Sequence, residues 1–289
     1  MTDPSPDLES DDIKSMGLYH HVDRVVSEVR DLGRSDDEPL RAGELTAFDQ
    51  LHYHGTEAVD EAVRSTGINQ RSAVLEVGSG LGGPARHLAS TTGAAVTALE
   101  LQDDHHRIAV DLTTRCGLAD RVTHVCGDVL THRFGGERFD VIVSWLALYH
   151  IPQRRLLLER FRSLLPEGGF VYVEDLCERD GFDDQEREVL SSELFVNHLP
   201  DLELYGREFI EAGFEVVQCD DMADDWTAFT SDRLQGYLSQ SERHCGCTAR
   251  PCSKRCVAST QRWPPISPAE SWEVSGWRHA ESDFRRGSF

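Results

Sequence analysis

The run Val74-Leu75-Glu76-Val77-Gly78-Ser79-Gly80-Leu81-Gly82-Gly83 constrains the fold of this 289-residue chain more than any other segment. A short apolar stretch with β-branched residues reads as a buried strand. The glycines after it let the backbone turn tightly and come close to a ligand. Residues 83–90 then read as a helix, whose first N–H groups can face a bound group. Strand, glycine turn and helix together open a parallel α/β sheet. Gly78, Gly80 and Gly83 also satisfy G-x-G-x-x-G, so the glycines alone leave open a dinucleotide site or a turn with no ligand.

The rest of the chain continues the alternation. Strands are expected at residues 73–77, 95–101, 122–126, 139–144, 169–175 and 215–219. Helices are expected at 104–116, 154–165, 183–198, 202–212 and 226–238. The fold class is therefore α/β, a doubly wound and mostly parallel sheet. Residues 13–70 form a helical lid before it, with one apolar stripe at Val22, Val25, Val26 and Val29 and another at Leu45, Phe48, Leu51, Ala58, Val59 and Val63. Residues 1–12 read as a disordered acidic arm and 71–240 as the core. No Gly-Gly-then-β-branched run supplies a convincing seventh strand, so the last strand of the sheet is a candidate absence.

Composition narrows the function. A formal charge of -22 argues against a nucleic-acid partner, which needs surplus Lys and Arg for phosphates. No apolar run approaches the roughly 20 residues needed to cross a bilayer. The N-terminus has no basic-then-apolar signal pattern, so a soluble cytoplasmic protein is expected. Oligomeric state is left open. Residues 241–289 differ in character, with eight Lys/Arg against five Asp/Glu, three of the five Trp and a Pro-rich knot. This tail reads as disordered. Its Cys245, Cys247, Cys252 and Cys256 have no standard ligand spacing. His52, His54, His105 and His106 lack cysteines or paired carboxylates at ligand spacing, so no metal is expected.

Glu76, Asp128 and the later strand and turn at 139–144 and 164–169 break the tie left by the glycines, whereas Glu100 is an acid that NAD enzymes share. Glu76, just before the first glycine, can face the ammonium of a bound amino acid. Glu100 ends the second strand, 24 residues on, where it can take both hydroxyls of a ribose. Gly127-Asp128-Val129 follows the third strand, with a carboxylate for an adenine amino group and an apolar neighbour for its face.

With Glu76–Gly83, Glu100, Asp128, the strand 139–144 and the turn Pro166-Glu167-Gly168-Gly169 in this order, residues 45–235 resemble class I S-adenosylmethionine-dependent methyltransferases, a Rossmann-like fold. The resemblance implies S-adenosylmethionine as cofactor. Glu76, Gly78, Ser79, Gly80 and Gly82 would surround its methionine part, and Glu100, with Leu101 beside it, would bind the ribose. Asp128 and Val129 would hold the adenine, and Ser144 would line the floor. Within the class, Phe48-Asp49-Gln50-Leu51-His52-Tyr53-His54-Gly55 and Ser144-Trp145-Leu146-Ala147-Leu148-Tyr149-His150-Ile151 are similar to the small-molecule N-methyltransferases of sarcosine, dimethylglycine or phosphoethanolamine. The continuation Gly82–Arg86 also resembles sterol and tocopherol methyltransferases, so a carbon or oxygen acceptor, or a non-catalytic relative, stays open.

The narrower resemblance implies that His150 pairs with an N-terminal tyrosine, Tyr19 or Tyr53, at the reacting centre. Trp145, Tyr149 and His54 are the candidate substrate-binding residues, with Asp175 at the end of the fifth strand either reaching the substrate or ending the strand. Ring faces can hold methylated ammonium groups, and His150 can accept or orient the proton of an attacking amine.

Overall fold

Five parallel strands are laid down in the order β3-β2-β1-β4-β5. The computed structural model of the protein describes residues 22–35, 37–178, 183–244, 270–275 and 277–279. The arm at 1–12, Tyr19 and the four tail cysteines lie outside the described residues. The strands are β1 Ala73–Val77, β2 Ala95–Glu100, β3 Val122–Cys126, β4 Val141–Trp145 and β5 Phe170–Cys177. Val, Ile and Leu dominate them because a parallel sheet covered on both faces is buried on both.

Alternate residues of each strand supply the two faces. Leu75, Val77, Leu99 and Ile142 join Leu157, Leu158, Phe161 and Phe209 on one side. Val74, Val96 and Val143 join Ala85, Leu88 and Tyr172 on the other. Helices α4 Gly83–Thr92, α5 Asp103–Arg115, α6 Arg154–Leu164, α7 Asp184–Leu194 and α8 Leu202–Glu211 flank the sheet. Asp201 starts α8, its side chain accepting from the Leu204 amide at 2.7 Å. The short strands β6 Phe214–Val216 and β7 Asp220–Asp221 precede the long helix α9 Ala223–His244.

Downstream, Glu270–Ser275 runs antiparallel between β5 and β7, and Trp277–His279 runs antiparallel to β6.

The lid departs from the expected pattern in one respect. Helices α1 Val22–Asp31, α2 Ala42–Leu45 and α3 Thr56–Thr66 form, but the stripe from Leu45 to Val63 is not one helix. Residues 46–55 leave the helical path, with His54 and Gly55 both at positive φ. Val25, Val29, Leu40 and Leu45 pack on Leu81 and Leu112, which fixes the lid to the core. A buried ion pair, Arg86 Nη2 to Asp49 Oδ2 at 2.9 Å, ties the irregular segment to α4.

Strand order reverses between β1 and β4. In doubly wound sheets the crevice beyond the carboxyl ends at such a point receives the ligand.

Candidate active site

A cleft opens at that switch point, roofed by the irregular lid segment. Its cavity volume is about 170 Å³. Its walls are the turn after β1, the ends of β2, β3 and β4, and Asp49, Leu51 and His52 of the lid.

The glycine turn is shaped by what must pass close to it. Gly78 has φ +75°, and a Cβ there would lie 2.3 Å from the Cβ of Ala147. On Gly83 a Cβ would lie 2.5 Å from the Asp49 carbonyl oxygen, so this glycine admits the lid. The amides of Gly78 and Ser79 donate to the Leu99 carbonyl at 2.9 and 3.0 Å. The Gly80 amide donates to Glu100 Oε2 at 2.7 Å. These three N–H groups therefore hold the end of β2, not a ligand. Gly78, Ser79 and Gly80 line the cleft. Gly82 is absent from its walls: it packs towards His124 and Arg86 on the far side of the turn.

Four carboxylates line the cleft. Glu76 is buried, and its Oε2 has no hydrogen-bond partner among the described residues. Burial raises its carboxyl well above the usual range, against the Arg86 charge and the Ala85 amide. Glu100 accepts from Gly80 and, through Oε1, from the Gln102 amide at 2.8 Å. Burial raises it too, and those amides oppose the shift. These amides take part of its roughly four lone-pair sites. Asp128 accepts from the Leu130 amide at 2.8 Å, and Val129, Leu101 and His105 share the lining with it. Asp49 is the partner of Arg86.

The end of β4 supplies the other wall. Trp145 is 6% exposed and its Nε1 has no partner among the described residues. Its ring lies 5.5 Å from that of His52. His150 sits in a 3-10 turn, Leu148–His150. Its Nδ1 lies 2.8 Å from the Phe195 carbonyl oxygen, and its buried Nε2 has no partner among the described residues. A carbonyl only accepts, so Nδ1 carries the proton and Nε2 presents a lone pair. Burial pushes the ring down to about 4.

Several expected site residues lie elsewhere. Ser144 donates to the Val77 carbonyl at 2.8 Å and pins β4 to β1; pleating turns it away from the cleft that Trp145 faces. Tyr149 packs with Leu190 and Val196 behind the wall. Asp175 is fully buried, accepting from the Tyr205 hydroxyl at 3.0 Å and the Tyr149 amide at 3.3 Å. Burial raises it to about 6, against the Arg154 charge. Tyr53 lies edge-on to Trp226 of α9, ring centroids 4.4 Å apart, and is not part of the lining. His54 pairs with Asp225 at 2.6 Å, also off the cleft.

The residue the sequence reading passed over is His52. It lines the cleft, is 4% exposed, and its Nε2 lies 2.9 Å from the Gly55 carbonyl oxygen. Nε2 carries the proton by the same reasoning, and burial pushes this ring also to about 4. Leu51 and Gln102 complete the roof and floor. Among the described residues, no group of three or more His, Cys, Asp or Glu is placed to hold a metal ion. No described helix is long and apolar enough to cross a membrane.

Sheet order, switch-point cleft and acid-tipped strands are those of a class I, S-adenosylmethionine-dependent methyltransferase. A family model described as a methyltransferase domain matches residues 51–219, and the chain belongs to that family. A sterol 24-C-methyltransferase of Gibberella zeae is 31% identical over 176 residues, 56% of this chain and 45% of that protein. Phosphoethanolamine N-methyltransferase 1 of Zea mays is 27% identical over 183 residues, 63% of this chain and 36% of that one. The chain thus spans less than half the length of either. The solved structure of Haemonchus contortus phosphoethanolamine N-methyltransferase 2 with S-adenosyl-L-methionine superposes with a TM-score of 0.72 at 18% identity. That match covers 81% of this chain and 55% of the solved one.

Proposed function

We propose that this chain binds S-adenosylmethionine in the switch-point cleft and methylates a small molecule, with an amine as the acceptor that best fits. The cleft suits the cofactor on its own geometry. Glu76 keeps a buried, partnerless oxygen for the ammonium, and docking of that cation would draw its carboxyl back to the ionised form. Glu100, aimed by two amides, would accept from the ribose hydroxyls. Asp128 would accept from the adenine amino group, with Leu101 and Val129 against the ring faces.

When bound, the cofactor supplies a methyl group already activated by its sulfonium. What remains for the protein is alignment: an acceptor lone pair must sit about 3 Å behind that carbon. His150 is the observation that carries this reading. Its Nε2 lone pair is buried and unpartnered, and the residue lines the same cleft as Glu76. An acceptor N–H donating to it would have its own lone pair turned to a fixed direction. At neutral pH the ring is uncharged, so it orients a neutral amine and does not repel the electrophile. Tyr53, Tyr149, His54 and Asp175 have no direct part in this scheme. They hold the lid and the wall.

A carbon acceptor is the second reading, favoured by the apolar side chains of Leu51, Leu146 and Ile151 in the lining and by the sterol 24-C-methyltransferase relative.

Calorimetry with S-adenosylmethionine and with NAD, followed by mass detection of methylated products from a panel of small amines, tests the proposal. Binding of the first and methylation of an amine are expected. Binding of NAD alone would overturn it.

A further inference from the structure

We infer that the acceptor is an amine or alcohol whose body carries neither phosphate nor carboxylate. The inference rests on the methyltransferase reading above and concerns the wall of the same cleft that the cofactor leaves free.

That wall is built from Leu51, His52, Trp145, Leu146, His150 and Ile151. Its polar atoms are few and their roles are fixed by their surroundings. His52 gives its Nε2–H to the Gly55 carbonyl, which leaves Nδ1 as a lone pair. His150 gives its Nδ1–H to the Phe195 carbonyl, which leaves Nε2 as a lone pair. Trp145 adds one N–H, and it can only donate. Trp145 and His150 are each more than nine-tenths buried, and the Trp145 Nε1 and His150 Nε2 atoms have no partner among the described residues. One donor and one acceptor, both unmet and both on residues that line one cleft, are what a hydroxyl or a neutral amine satisfies: it donates to one and accepts from the other.

An anion finds nothing comparable. Both rings are held neutral by burial. No Lys or Arg lines the cleft among the described residues. The two buried arginines nearby, Arg86 and Arg154, are not in its lining. Arg86 pairs with Asp49 and donates to Thr113. Arg154 pairs with Glu208 at 3.2 Å and lies over the Tyr205 ring. Arg233, whose charge reaches His52, is an exposed residue of α9 outside the lining. Four carboxylates, Asp49, Glu76, Glu100 and Asp128, share the cleft instead. A phosphate or carboxylate entering it would lose its hydration and find no Lys or Arg side chain in the lining among the described residues.

The test uses the full chain and acceptors in matched pairs: ethanolamine with phosphoethanolamine, and sarcosine amide with sarcosine. Two readouts are taken, calorimetric binding to the S-adenosylhomocysteine-loaded protein and methylated product by mass. The uncharged-body member of each pair is expected to bind or react better, by on the order of 100-fold. In the variant Ile151→Arg, which adds a cation to the wall, the preference should shift towards the anionic member. Equal or better performance by the anionic members in the unaltered chain overturns the inference. So does failure of every uncharged member in both readouts while S-adenosylhomocysteine still binds. Loss of S-adenosylhomocysteine binding itself would strike the methyltransferase reading, which separates the two failures.

Discussion

Gly78 and Ala147 approach so closely that a Cβ on the glycine would lie 2.3 Å from the Cβ of the alanine. The contact joins the turn after β1 to the segment after β4, the two sides of the switch point. Gly78→Ala should therefore combine overlap with a left-handed backbone strain at φ +75°. Gly117→Ala is the control, since it shares the strain (φ +67°) but opens onto empty space. Urea unfolding should show a loss of about 1 kcal/mol for the control and about 2–4 kcal/mol for Gly78→Ala. Only the latter should lose S-adenosylmethionine binding by calorimetry. Normal binding by Gly78→Ala would mean that this contact does not shape the site.

Glu100→Gln tests the carboxylate that both shapes the turn and faces the cleft. Its two oxygens accept from Gly80 and Gln102, whereas a carboxamide has one acceptor and one donor group. One backbone N–H is left facing an NH₂. We expect a stability loss of about 1–3 kcal/mol and cofactor affinity lower by on the order of 100-fold, the amount associated with losing a charge-assisted pair. An affinity within a factor of two of the unaltered chain would take Glu100 out of the ribose-binding role.

Much of this site could be read from the chain because its parts are local. The apolar run 73–77, the glycines and Glu76 lie within a few residues of one another, and Glu100 and Asp128 follow strand ends marked by clear apolar runs. Ser144, Tyr149 and Asp175 misled for a different reason. Each sits at the correct end of its strand or turn, but which way it faces depends on what packs across from it. Ser144 and Trp145 are neighbours on a pleated strand, and one must face away. Asp175 is covered by Tyr205 of α8, 30 residues further on. His52 was hidden by irregularity. In Leu51-His52-Tyr53-His54, side-chain direction is set by the positive φ of His54 and Gly55, and no period reveals which of the three aromatic or imidazole rings turns inward.

The Arg86–Asp49 pair predicts a coupling between lid and core. Both side chains are 1% exposed. Removing either partner leaves a buried, uncompensated charge, at a cost of roughly 3–5 kcal/mol. Arg86→Met and Asp49→Ala should each fall in that range by urea unfolding, and the double variant should cost well below their sum. Strict additivity would show that the two charges do not act on each other.

His150 should matter to turnover and not to cofactor binding, because in the proposed scheme it belongs to the acceptor wall and keeps an unpartnered nitrogen. His150→Ala is expected to lower kcat/KM by on the order of 100-fold, the low end for a positioned proton acceptor, since a ring pushed to about 4 is a weak base. Affinity for S-adenosylhomocysteine should stay within a factor of two. Full activity in this variant would remove His150 from the mechanism.

The same burial gives stability an acid dependence with two opposing parts. His52, His124 and His150 sit at about 4 in the folded chain, against 6.5 for the unperturbed group. Between those values unfolding takes up protons, so their contribution is full above 6.5 and is lost as pH falls towards 4. Each can contribute up to about 1.4 kcal/mol per pH unit in that window. Asp175 works the other way. At about 6 in the folded chain against 3.8 unperturbed, it keeps a proton that the unfolded chain releases, and so adds stability as pH falls from about 6 to about 4. Glu76 and Glu100, raised by burial, share that sign. Urea midpoints measured from pH 7.5 to 4.5 should therefore fall gently in the unaltered chain. His150→Gln should flatten the fall and Asp175→Asn should steepen it. The reverse order of slopes would show that His150 is charged, or Asp175 ionised, in the folded protein, and an ionised Asp175 would leave Tyr205 and Arg154 as its permanent counterweight.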